Sequence, residues 1–165
     1  MRDEAGYTEY VTVRLPRLRR AAYLLCGDVH RADDIVQATL VALYRHWANA
    51  RRAENTDAYV HRMLVRRFLD ERRLGWARVA LTGRVPDRPA PESAAAEPAD
   101  IQAALRRLPP GQRAVLVLRF LCDLSVAETA SALNCSEGNV KAQTARGLAA
   151  LRPILGPGAS IDSGR

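Results

Sequence analysis

The chain has 165 residues, with 25 Lys and Arg against 18 Asp and Glu, a formal net charge of +7 and three cysteines. A pI of about 10.0 favours a polyanionic partner, nucleic acid above all, because neutralising phosphates releases counterions. No apolar run approaches the ~20 residues of a membrane span, no apolar signal core follows Met1, and the scattered cysteines support neither a disulfide framework nor a thiolate zinc site. The expectation is a soluble, cytoplasmic protein with no membrane contact of its own.

Along the chain, Tyr10, Val11, Val13 and Leu15 lead to Pro16. Proline lacks an N–H and crowds the preceding turn, so it is expected to begin or kink a helix there. Leu18, Ala21, Ala22 and Leu25 follow at helical spacing, and Gly27-Asp28 breaks the chain. Ile35, Val36, Thr39, Leu40, Leu43, Tyr44 and Trp47 mark a second amphipathic helix. The polar stretch Ala48–Thr56 is expected to be a loop, and Asp57 to cap a helix with Val60, Leu64 and Phe68 on one face and Arg62, Arg66 and Arg73 outside it.

Four of the nine prolines (Pro86, Pro89, Pro91, Pro98) fall within Pro86–Asp100, a stretch of net charge −3 in an otherwise basic chain. Such a composition predicts a linker. Beyond it, helices are expected over Ile101–Arg107, Pro110–Leu121, Ser125–Leu133 and Ser136–Leu151, with Pro153 closing the last. No strand pattern and no repeat is visible. The predicted fold is all-α: two small helical domains, 7–82 and 101–155, joined by a flexible linker over 83–100 and followed by a loose tail over 156–165.

The most specific pattern lies between Val126 and Val140. A helix-turn-helix needs a small residue where its helices touch, a turn residue that tolerates positive φ, and apolar anchors. Ala130, Asn134, and Leu133 with Val140 fill those places. Ser136 stands at the N-cap position, with Asn139 three residues on. The second helix then offers Glu137, Asn139, Lys141, Ala142, Gln143, Thr144 and Arg146 to a partner. Asn and Gln suit adenine and Arg suits guanine in a major groove that admits a helix.

A second basic cluster runs from Arg62 to Arg84, seven arginines against Asp70 and Glu71, with Tyr59, Phe68 and Trp76 interleaved. Arginines with aromatic neighbours suit single-stranded nucleic acid, where stacking on a base contributes ~1–3 kcal/mol. Enzyme chemistry is poorly represented. His30 lies near Asp33 and Asp34, but no H-E-x-x-H, P-loop or G-x-S-x-G pattern occurs. His46 and His61 are expected on helix faces as surface or partly packed residues, and Cys122 and Cys135 as buried small hydrophobes. No catalytic function, metal or cofactor is expected.

Tyr23–Asp28, Ala32–Leu40 and Ala58–Leu64 together resemble sigma region 2, and Leu105–Arg113 with the helix-turn-helix to Leu151 is similar to sigma region 4. The chain as a whole, over about residues 7–155, resembles a group IV (extracytoplasmic-function, ECF) sigma factor of bacterial RNA polymerase. That resemblance implies core polymerase and promoter DNA as partners, and a cognate anti-sigma factor. It implies that Asp34, Gln37 and Leu40 meet the polymerase, with Ala38 standing where many members carry an acid. It assigns the −10 element to Asn55, Arg62, Arg66 and Arg73, with Arg66 where many members have Asn. It assigns the −35 element to Glu137, Asn139, Lys141, Gln143 and Arg146. The competing possibility from the residues is an autonomous helix-turn-helix repressor or activator, which binds duplex DNA without polymerase.

Overall fold

The computed structural model describes the backbone of residues 3–82 and 99–155, and within them the side chains of 3–71 and 101–154. Residues 83–98 of the expected linker and the expected tail lie outside the described residues, as do the side chains of Arg72, Arg73, Trp76, Arg78 and Arg84, while Ala99 and Asp100, expected to end the linker, are helical. The described residues are helical with no strand. The chain divides into two compact units, Met1–Glu92 and Ser93–Arg165.

In the first unit, α1 (Glu4–Cys26) begins where Asp3 accepts a hydrogen bond from the Gly6 N–H at 3.0 Å. That bond holds the Asp3 carboxyl below its ordinary value. The helix ends at Gly27, whose φ of 70° lets its N–H reach the Tyr23 carbonyl at 2.7 Å. Asp28 then caps α2 (Val29–Arg45) by accepting from the N–H groups of His30 and Arg31. A two-residue connection makes α1 and α2 neighbours, and both pack on α4 (Thr56–Thr82). Leu18, Leu25, Leu43, Leu64 and Phe68 are buried among them, each contributing roughly 1.5–3 kcal/mol by leaving water.

Three expectations for this unit need correction. First, Pro16 does not begin a helix: α1 continues through it. Pro16 and Thr12 are both exposed, so the Thr12 carbonyl released by the missing N–H faces water rather than apolar surface. Second, most of the expected loop Ala48–Thr56 is helical: α3 (Trp47–Arg52) is seated by the fully buried Ala50, which leaves only Ala53–Asn55 as loop. Third, Asn55, not Asp57, caps α4, its Oδ1 accepting from the Ala58 N–H at 3.0 Å.

In the second unit, α5 (Ala99–Arg107) turns through Leu108-Pro109 into α6 (Pro110–Leu116), which has proline at its first position. The last carbonyls of a helix lack intrahelical partners, and the two prolines bring no N–H. Arg113 replaces those donors. It is only 6% exposed, and it donates to the carbonyls of Leu105 (2.9 Å), Arg106 (3.3 Å) and Leu108 (3.1 Å). After α6 comes one turn of π-helix over Val117–Leu121, where a regular α-helix was expected, and Asp123 then reverses the chain at φ 55°. The helices α7 (Val126–Leu133) and α8 (Glu137–Leu155) complete the unit, with α8 packed against α5, α6 and α7. The last helix passes through Pro153, because in the final turn proline removes one bond at a solvent-facing position. Gly147 makes the α6–α8 contact close: a Cβ there would lie 2.9 Å from Leu116 Cδ1.

Candidate nucleic-acid and polymerase surfaces

The α7–α8 pair is built from local hydrogen bonds outward. Ser125 and Glu128 form a reciprocal capping box, the Ser125 hydroxyl accepting from the Glu128 N–H and the Glu128 carboxylate from the Ser125 N–H. The Ser-x-x-Glu spacing could have shown this box in advance. At the other end, Asn134 adopts φ 54° and ψ 50°, so the Cys135 N–H meets the Ala130 carbonyl at 3.0 Å. Ser136 caps α8 through the Asn139 N–H at 3.0 Å. Val115, Ala130 and Val140 form the buried contact beneath, with Val126, Leu133 and Cys135 packed against it. Every position expected of the helix-turn-helix is therefore occupied as the pattern predicts.

What α8 shows to solvent is narrower than expected. Glu137, Asn139, Lys141, Ala142 and Arg146 are exposed, whereas Gln143 and Thr144 are half-buried. Thr144 turns inward and donates to the Val140 carbonyl at 2.7 Å. Gly138, Ala142 and Ala145 are small and exposed between the polar residues, an arrangement that lets a helix lie close to base edges and thymine methyl groups. Of these, Gly138 and Ala145 lie outside the residues that the sequence pattern offers to a partner.

In the first unit, Asp34 and Gln37 are exposed on α2 and share a strip with His30, Val41 and Arg45, also exposed. Val41 is 55% exposed, an apolar residue suited to burial by a protein partner. Leu40 lies beside the strip, half-buried, with its carbonyl accepting from the Tyr7 hydroxyl at 2.9 Å. On α4, Asn55, Tyr59, Arg62 and Arg66 follow at intervals of four, three and four residues and so occupy one strip. Asn55 and Arg66 are exposed, and Tyr59 and Arg62 half-buried. Arg73 belongs to the same helix, but its side chain lies outside the described residues.

Behind that strip, α1 holds the start of α4. Tyr10 donates to Asp57 Oδ1 at 2.7 Å, and Arg14 pairs with Asp57 Oδ2 at 3.1 Å. Burial and the bond to Asp57 push the Tyr10 phenol well above its ordinary value, so it stays a donor. One turn on, His61 is 3% exposed, more deeply buried than expected. Its Nδ1–H donates to the Asp57 carbonyl at 2.7 Å, and its Nε2 has no partner. Burial lowers its pKa, against the opposing pull of the Asp57 carbonyl. Cys122 is buried as expected, while Cys26 and Cys135 are half-buried, and none of the three is in a disulfide. Among the described residues, no cluster of His, Cys, Asp and Glu could hold a metal, and no helix is long and apolar enough to cross a membrane.

A helix-turn-helix with a polar, exposed second helix, together with a separate unit carrying an arginine strip, defines a DNA-reading protein of two modules. The family models for Sigma-70 region 2 and Sigma-70, region 4 match residues 11–78 and 99–151. The RNA polymerase sigma-E factor of Streptomyces coelicolor is 35% identical over 162 residues, covering 94% of this chain and 89% of that relative. The ECF RNA polymerase sigma factor SigM of Mycobacterium tuberculosis is 34% identical, covering 85% of this chain and 72% of the relative. The fold matches the sigma factor RpoE of Bartonella quintana, solved with the anti-sigma factor NepR, with a TM-score of 0.81, 22% identity and coverage of 93% and 99% of the two chains. The chain belongs to the sigma-70 family of RNA polymerase sigma factors, in its ECF group. It is a transcription initiation factor that directs RNA polymerase to promoters, and not an enzyme. The match spans both units, which an autonomous helix-turn-helix regulator does not require.

Proposed function

We propose that the two units read two separated elements of one promoter while docked on core RNA polymerase. Domain limits of 7–82 and 101–155 with a connecting span over 83–100 suit that arrangement, and the site of action is the cytoplasm. In this account Asp34, Gln37 and Leu40, with Val41 beside them, contact the polymerase. Ala38 contributes no charge there. Asn55, Arg62, Arg66 and Arg73 contact the non-template strand of the −10 element, and capture of an unstacked base offsets the few kcal/mol lost on unstacking. Glu137, Asn139, Lys141, Gln143 and Arg146 contact the −35 element. Gln143, half-buried, reaches DNA only at the edge of that surface. A cognate anti-sigma factor is a further partner, one that competes with polymerase for the exposed helix faces.

The observation that carries this reading is the pairing of the left-handed Asn134 with an exposed face of α8 that Arg146 and the small Ala142 occupy and that Asn139 and Lys141 border on opposite sides. Runoff transcription with core polymerase on genomic fragments tests it. A specific transcript appears only when the protein is added, and Arg66→Asn changes which −10 sequences are used. Tight, specific duplex binding by the free protein, with no polymerase-dependent transcript, would overturn it.

A further inference from the structure

The loop Ala53–Asn55 is three residues long, and both of its flanks are held from the same place. Tyr10, on α1, touches each. Its ring packs on Trp47, the first residue of α3, with centroids 5.5 Å apart, and its hydroxyl donates to Asp57, in the first turn of α4, at 2.7 Å. Arg14, one turn along α1, takes the other oxygen of Asp57 at 3.1 Å. A third tie runs from Asp3, the cap of α1, to Arg51 of α3 at 2.7 Å. Tyr7 adds edge contacts to Tyr44 and Trp47 at 5.2 and 5.9 Å.

The geometry of α4 separates these contacts from the DNA-facing strip. Asp57 follows Asn55 by two residues, about 200° around the helix. It therefore stands at the head of the buried stripe that continues through Val60, His61, Leu64 and Phe68. A side chain that faces α1 cannot also face DNA. Fixing both oxygens of Asp57 nonetheless sets the direction in which the first turn of α4 leaves the loop, and with it the placement of Asn55 and Arg62.

We propose that Tyr10 and Arg14 are positioning residues for promoter melting: by gripping Asp57 and Trp47 they pre-form the loop that receives the unstacked base. The inference rests on the assignment of the α3–α4 segment to the −10 element. Pre-formation matters because a loop ordered only on binding subtracts its ordering cost from the affinity for the captured base. The Asp3–Arg51 pair is the more exposed of the two ion pairs and contributes less. The half-buried Tyr10–Asp57–Arg14 group carries most of the constraint.

The test uses holoenzyme formed from the full chain and core polymerase, on a promoter that this holoenzyme transcribes. Tyr10→Phe keeps the ring against Trp47 and removes only the hydroxyl, and Arg14→Met keeps much of the stem. The probes are fork-junction DNAs carrying the −10 non-template strand, either intact or with a single abasic position stepped along it. Each variant is expected to lose about tenfold in affinity for the intact fork and to show weaker permanganate reactivity at the start site. Affinity for core polymerase stays the same, and the loss disappears on the fork that is abasic at the captured base. Asp57→Asn combined with Tyr10→Phe gives no more than the larger single loss. Unchanged fork binding overturns the proposal, and so does an equal loss on intact and abasic forks, since a merely structural role produces that pattern. Arg62→Ala and Arg66→Asn separate the layers. If they alter fork binding and the α1 variants do not, only the positioning role fails. If neither set does, the assignment of this segment to the −10 element fails and the positioning role with it.

Discussion

At the scale of single residues, His61 shows how burial and charge divide their effects. Its ring lies in the helical core with one nitrogen bonded to the Asp57 carbonyl and the other bare. The charged groups acting on it are Asp57, which favours protonation, and Arg14 and Arg17 of α1, which oppose it. Burial dominates and depresses its pKa below the ordinary 6.5. The unfolded chain therefore takes up the proton first as pH falls. Stability from the neutral ring is complete above about pH 6.5 and is lost as pH drops from there toward the lower folded value. Urea unfolding at a series of pH values between 7.5 and 5 is expected to show that decline, and His61→Gln to flatten it. An identical slope in the variant would remove His61 as its source. Arg113 is the opposite case, a buried guanidinium whose donors are taken up by three carbonyls at a helix end.

Among the secondary-structure elements, the sequence was most readable where one residue type has one job. Gly27 and Asp28 mark the α1–α2 turn because a left-handed backbone and an N-cap each favour few residues. Asn134 marks the helix-turn-helix for the same reason. It was least readable where tertiary surroundings decide. Pro16 is tolerated because its side of α1 faces water, which no local pattern states. The helix α3 is six residues long, too short for its periodicity to register. Asn55 and Asp57 are both competent caps, and what settled the choice was α1, which claims Asp57. Likewise, Gln143 and Lys141 are equally polar in the sequence, and only the packing of α8 turns one partly inward. Gly147 belongs to this scale too. Helix propensity alone favours alanine there by roughly 0.5–1 kcal/mol, but the Cβ would press on Leu116 Cδ1 at 2.9 Å and Cγ at 3.2 Å. Overpacking costs about 1–3 kcal/mol, so Gly147→Ala is expected to lower the urea midpoint. A raised midpoint would mean that Leu116 has room to rotate away.

For the whole molecule, the proposed reading of two promoter elements makes affinity a matter of coupling. Under it, joining the two units makes the second contact effectively intramolecular, which strengthens the pair without any new interaction. A net charge of +7 makes that binding sensitive to salt. If Lys141 meets a phosphate, Lys141→Ala in holoenzyme is expected to weaken promoter binding across sequences and to reduce the slope of log affinity against log salt by about one. An unaltered slope would take Lys141 off the backbone contacts while leaving Asn139 and Arg146 as candidates. The family and the two-module plan were readable from motif order. The brace behind the Ala53–Asn55 loop was not, since Tyr10 and Asp57 lie 47 positions apart and nothing in either neighbourhood announces the other.

The two sides of α4 carry separate duties. Val60, Leu64 and Phe68 face the core, while Asn55, Arg62 and Arg66 point outward across the helix. Exchange of Arg62 or Arg66 leaves the packed side and the Asn55 cap alone, so on the proposed −10 assignment new base preferences arise without a matching repair elsewhere. On that assignment, lineages carrying many paralogous copies diverge in their target genes through a handful of codons, and a library randomised at positions 62 and 66 is expected to yield regulators of differing promoter choice on one scaffold, whereas position 55 also carries the start of α4.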